Sequence, residues 1–301
     1  MLSNRSKLAT AIVLAIVGAG ASQNAAAFAF GLGASEIDNF AITTTGNVSI
    51  STGNVRGLAT AAKGGGATAA DSCAVGFGSA CDLFAKLGDS TYANDTFLVN
   101  KNDGTNWALT DGLVPDATKS TLFSSTKASQ STPWLSNGSY ALAQTFTVNV
   151  GSSGTLQFDF DAFTELEAEL NGGSTTGSQA QGSFGFQITL TRSGGGRVFE
   201  WSPDGSAGNI TGGTESLDPF TLNDTLALLD MDNSQSRGNG PGSFRAVTDS
   251  LAAGTYFLSV FQSTESNSQW VSAVPEPASL SLIGLGLLGA GALRARRQAK
   301  G

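Results

Sequence analysis

Between residues 144 and 201, apolar and polar side chains alternate with a period of two, which restricts the fold class more than any other feature of the chain. In Gln144 to Val150, Phe146, Val148 and Val150 fall on one face, and Thr145, Thr147 and Asn149 on the other. After a turn at Ser152 to Gly154, Leu156, Phe158 and Phe160 alternate with Gln157, Asp159 and Asp161. Phe184, Phe186, Ile188 and Leu190 repeat the pattern, and glycines 194 to 196 turn the chain into Arg197 to Trp201, where Phe199 and Trp201 share a face. Period two is the mark of a strand with one buried face. Four or more such faces need a second layer to cover them. The expected fold class is therefore all-β, an antiparallel β-sandwich of jelly-roll type. The 39 glycines, with many Ser, Thr and Asn, suit short strands joined by tight turns.

The rest of the body is less sharply patterned. Ile37 to Ser51 reads as a first hairpin turning at Gly46, and residues 54 to 80, rich in Ala and Gly, as a long loop or ordered coil. Residues 82 to 142 are hard to read, with one strand signal around Phe97 to Val99. Phe163 to Leu170 fits either a short helix, through Leu166 and Leu170, or a continuation of the preceding strand. Phe220 to Leu229 is apolar but irregular. Leu251 to Gln262 reads as the last strand, with Tyr256, Leu258 and Val260 inward, and Ser263 to Ser272 as a polar stem.

Both ends carry export features. Arg5 and Lys7 precede an apolar run from Leu8 to Ala21, and Ala25 to Ala27 offers a cleavage site, so residues 1–27 read as a helical secretory signal that engages the Sec translocon. At the other end Val274, Pro275, Glu276 and Pro277 lead into Ala278 to Leu293, an uncharged run, and then Arg294, Arg296 and Arg297. Sixteen such residues make about 24 Å of helix, short for a hydrocarbon core of about 30 Å. The arginines place that end in the cytoplasm and the body across the membrane. The expected division is thus a signal at 1–27, a secreted body at 28–272, and 273–301 comprising the motif at 274–277, a short transmembrane helix at 278–293 and a basic tail at 294–301.

This order of Val-Pro-Glu-Pro, short apolar helix and arginine cluster resembles the PEP-CTERM sorting signal. The resemblance implies an exosortase-type membrane protease as partner, in a Gram-negative bacterium that makes exopolysaccharide. It further implies transient membrane anchoring, then cell-surface or matrix localisation with a structural or biofilm role. Exopolysaccharide is the further partner it suggests.

The chemistry legible in the body is sparse. The body holds 10 basic and 23 acidic residues, which disfavours nucleic acid as a partner. Cys73 and Cys81, the only cysteines, are expected to form a disulfide in an oxidising compartment. With no histidine anywhere, Ser-His-Asp, Cys-His and His-ligated metal mechanisms cannot be assembled. Asp159, Asp161, Glu165 and Glu167 offer the one acid-pair option, yet they also fit the wet face of a sheet. Asp230, Asp232 and Ser234 have the opening spacing of a calcium loop but lack its later Gly and Glu, so a solvated turn is preferred. The expectation is a non-enzyme without cofactor or metal. The alternative is a carbohydrate-binding module using exposed aromatics among Trp107, Trp134, Trp201, Tyr256 and Trp270, and an acid-pair glycosidase ranks third.

Overall fold

The computed structural model describes residues 28–51, 53–63, 67–76, 120–129, 136–174 and 176–271. Twelve strands occupy them: β1 (Phe28–Ser51), β2 (Asn54–Lys63), β3 (Ala67–Gly76), β4 (Ser120–Ser129), β5 (Ser136–Asn171), β6 (Gln179–Arg192), β7 (Arg197–Trp201), β8 (Ile210–Thr211), β9 (Gly213–Leu217), β10 (Asp224–Leu229), β11 (Asn233–Thr248) and β12 (Leu251–Gln269). All pairings between them are antiparallel.

The long strand β5 organises the architecture. Its residues 136–144 pair with β2 and 136–154 with β12, whereas 147–171 pair with β1 and 157–170 with β11. One layer therefore runs β3-β2-β5-β12-β6-β7-β8, with β10 on β6. The other runs β4-β1-β5-β11-β9. β1 packs against β6 and β12 without pairing to either, so the two layers lie face to face as a sandwich. Apolar residues of both fill the space between them. Phe160 centres an aromatic group, with ring centroids 4.9 Å from Phe186, 5.0 Å from Phe244, 5.6 Å from Trp201 and 5.8 Å from Phe40.

The expected alternations hold at Phe146 to Val150, Leu156 to Phe160, Phe184 to Leu190 and Phe199 to Trp201, whose apolar members are buried. Several local readings need correction. Ile37 to Ser51 is not a hairpin, because β1 runs on past Gly46 and pairs with β5 on both sides of it. Gly46, at φ 76°, lies opposite Gly154, and a Cβ on Gly46 would stand 2.2 Å from the Ser153 carbonyl oxygen. Close approach rather than reversal requires that glycine.

Residues 54–63 and 67–76 form a strand pair instead of a loop. Val55, Gly57 and Ala59 alternate inward, but side chains that small give little periodic signal. Phe163 to Leu170 continues the strand. Thr164, Leu166, Ala168 and Leu170 are all buried, so the i,i+4 leucines belong to one sheet face.

Two further expectations are revised. The described residues contain strands and no helix long and apolar enough to cross a membrane. The segments read as signal helix and transmembrane helix lie outside the described residues. Nor do the described residues contain a complete disulfide. Cys73, on β3, packs against the core, while Cys81 lies outside them.

Between the layers one region is too narrow for side chains. A Cβ on Gly182 would stand 1.7 Å from the Leu32 carbonyl oxygen, and one on Gly31 2.1 Å from that of Gln181. Backbone thus meets backbone across the sandwich, between the large core and a smaller cluster of Ala29, Leu166, Leu170, Phe184, Leu226, Leu228 and Trp270.

Candidate functional site

β12 is an interior strand, hydrogen-bonded to β5 on one side and β6 on the other as far as Ser268. Residues 263–269, read from sequence as a polar stem, are therefore part of the sandwich. From residue 262 on, the even-numbered side chains continue the buried face begun by Tyr256, Leu258 and Val260, but they are Gln262, Thr264, Ser266 and Ser268. Hydroxyl and amide groups opposite take up part of this polarity. Gln262 Nε2 donates to Ser35 Oγ at 2.9 Å, and the Ser124 and Ser266 hydroxyls meet at 2.7 Å. Among the described residues, the buried hydroxyls of Thr164, Thr264 and Ser268 have no hydrogen-bond partner. Such a row contributes far less than the apolar half of the same strand.

The end of β12 is held by two residues. Trp270 is buried in the smaller cluster. At Val271 the N–H donates to Ser178 Oγ at 3.0 Å, and the Ser178 hydroxyl donates to the Val271 carbonyl at 3.1 Å. The Ser178 carbonyl in turn accepts from Asp230 N–H at 3.0 Å. The chain is thus fixed to the residue before Ser272, and Val274, Pro275, Glu276, Pro277, Arg294, Arg296 and Arg297 lie outside the described residues.

The residues with the opening spacing of a calcium loop, read from sequence as a solvated turn, lie beside this exit. Asp230 Oδ1 accepts from Gly177 N–H at 2.7 Å, and the Asp232 carboxylate accepts from Gly173 and Ser174 N–H at 2.7 and 2.8 Å. Burial pushes the Asp232 carboxyl up, but hydrogen bonds from Ser174, Gly173 and Gly172 outweigh it and hold the group below the ordinary carboxylate range. These carboxylates tie the 172–178 loop to the turn after β10. Ser234 donates its backbone N–H to Asn233 Oδ1 and does not join them. Among the described residues no group of three or more acids, Cys or His is arranged to hold a metal ion.

The acids considered for catalysis share the outer face of β5, where Asp159 and Asp161 are drawn into local contacts. Arg245 pairs with Asp159, which also accepts from Gln157 Nε2 at 2.6 Å. Asp161 accepts from Ser243 Oγ at 2.6 Å and Asn39 Nδ2 at 2.9 Å. It lies in a shallow cleft with Glu36, Asp38 and Phe163. Burial, then repulsion from Glu169 and Glu165, raises the Glu167 carboxyl above its ordinary range.

Trp201, Tyr256 and Trp270 are buried, and Trp107 and Trp134 lie outside the described residues. Trp201 Nε1 donates to Glu215 at 2.9 Å and the Tyr256 hydroxyl to the Ala252 carbonyl at 2.7 Å, so these rings serve the core. The exposed aromatics on β12 are Phe257 and Phe261, 51 % and 38 % exposed. Their signal was present in the sequence as the opposite phase of the run whose even members point inward.

A profile of the PEP-CTERM protein-sorting motif matches residues 273–297. No curated protein matches the chain. Among solved structures, the carbohydrate-binding module TmCBM61 in complex with beta-1,4-galactotriose aligns over 41 % of this chain and 69 % of its own, at 14 % identity and a TM-score of 0.10. A score that low carries no argument about fold or ligand. The matched motif begins one residue beyond Ser272, directly after the clamped end of β12, and the chain is a β-sandwich protein bearing a PEP-CTERM sorting motif.

Proposed function

We propose that the protein is a non-catalytic exported β-sandwich that an exosortase-type protease cuts near Pro275 to Pro277 and releases to the cell surface or surrounding matrix, where it serves a structural role. The observation that carries this reading is the continuity of an interior strand with the matched motif: β12 is paired on both sides, and Ser272 alone separates its clamped end from the motif. The Sec translocon delivers the chain, and the sixteen-residue apolar run holds it only transiently, being short for a bilayer. Its arginines resist passage at about 2.5 to 3.5 kcal/mol each. Fractionation of cells making the chain with Pro275→Ala and Glu276→Ala tests the reading. The variant is expected to stay with the membrane while the parent chain leaves it, and equal release of both would refute it.

A second reading, binding of exopolysaccharide, is favoured by Phe257 and Phe261. They stand on the outer face of β12 on either side of Ser259, in rows that include Thr191 and Gln187 of β6. Aromatic faces beside polar side chains suit sugar rings.

A further inference from the structure

The turn after β10 stands at the end of the sandwich from which the sorting segment leaves. Leu229 pairs with Gln179, and Gln179 with Gln269, so Leu229 shares the last row of β10, β6 and β12. Two strand spacings put it about 10 Å from the exit of β12. Ser178 joins the two places directly, accepting from Asp230 N–H through its carbonyl and holding Val271 through its hydroxyl.

In this turn acids and apolar residues alternate with opposite fates. Asp230 and Asp232 face the 172–178 loop and accept its N–H groups. Leu229 and Met231 are 61 % and 67 % exposed, the most exposed of the large apolar side chains described. Exposed single apolar residues are common, but this pair stands where the chain heads for the bilayer. From Val271 to Ala278, where the apolar run begins, full extension covers about 25 Å. The attached sandwich therefore cannot leave the headgroup layer by more than that length.

We propose that Leu229 to Asp232 is a membrane foot: while the sorting helix is attached, Leu229 and Met231 enter the interfacial layer of the phospholipid bilayer. This rests on the sorting reading above. A body with 10 basic and 23 acidic residues is repelled by an anionic surface, so the contact is with zwitterionic lipid, and the charged carboxylates of Asp230 and Asp232 are turned to the 172–178 loop, whose N–H groups they accept. Apolar side chains flanked by satisfied polar groups suit the boundary between headgroups and acyl chains.

The test uses the full uncleaved chain in phosphatidylcholine vesicles, with a benzophenone side chain placed in turn at positions 231 and 229, and at 195 in the β6–β7 turn at the other end of β6. After flotation and illumination, mass spectrometry is expected to find lipid adducts at 231 and 229 and none above background at 195. A chain that floats with the vesicles without lipid adducts at 231 and 229 overturns the foot and leaves the sorting reading standing. A chain that fails to float overturns both. If the adducts in native inner membranes are to protein and lipid adducts are missing there too, the turn docks on a protein and the foot is wrong.

Discussion

The Ser178 hydroxyl and the Val271 backbone close a two-bond clamp, with the hydroxyl donating at 3.1 Å and accepting at 3.0 Å. This clamp ends the sandwich one residue short of the segment that carries the sorting motif. Ser178→Ala removes both bonds, at a cost of about 1 kcal/mol for a hydrogen bond of ordinary net worth. Hydrogen exchange at the Val271 amide is expected to speed up markedly, with the amides of β6 unchanged. Equal exchange in both proteins would mean that Trp270 alone holds the strand end.

Gly182 meets the Leu32 carbonyl across the sandwich with no room for a methyl group. Gly182→Ala must push the layers apart or bend β6, and overpacking of this kind costs about 1 to 3 kcal/mol or more. A thermal melt is expected to show clear destabilisation, whereas Gly196→Ala, where a Cβ meets nothing within 4 Å, leaves the midpoint nearly unchanged.

These glycines show which parts of the fold were legible in the chain. Phe146 to Phe160 and Phe184 to Trp201 announced strands because large apolar residues alternated with polar ones. Gly31 and Gly182 are invisible to that pattern, since their role is defined by backbone on the opposite layer. The same limit hid the β2–β3 pair, whose inward positions include Gly57 and Ala59. At the exit of β12, Thr264, Ser266 and Ser268 looked like a solvated stem because composition alone assigns hydroxyl side chains to water. Only pairing with β5 and β6 reveals them as buried. The motif at 273–297 was legible because it depends on order along the chain rather than on packing.

Glu167 lies between Glu165 and Glu169 on the outer face of β5, and burial followed by repulsion raises its carboxyl. Between the ordinary carboxylate pKa and the raised folded value, the folded chain holds a proton that the unfolded chain has lost. Its contribution to stability is therefore fully present below the ordinary value and is lost as pH rises through the folded one. Glu167→Gln is expected to stabilise the fold at neutral pH, seen as a raised melting temperature, by an amount that screening keeps below about 1 kcal/mol, and to have no such benefit at pH 3. A benefit independent of pH would assign the effect to packing.

Phe257 and Phe261 stand outward on β12, so Phe257→Ala with Phe261→Ala is expected to leave the core intact. If the outer face binds exopolysaccharide, co-sedimentation of the variant with the polymer is lost while its circular dichroism stays that of the parent. Undiminished co-sedimentation would remove this face from consideration.

On the proposed function, the clamped strand hands its chain to a sorting protease rather than to a permanent anchor. Intact mass measurement of the protein recovered from whole cells and from the medium tests it most directly. Mature chains are expected to end near Pro277, without Ala278 to Gly301. Chains that keep this segment at full stoichiometry in both fractions would contradict it.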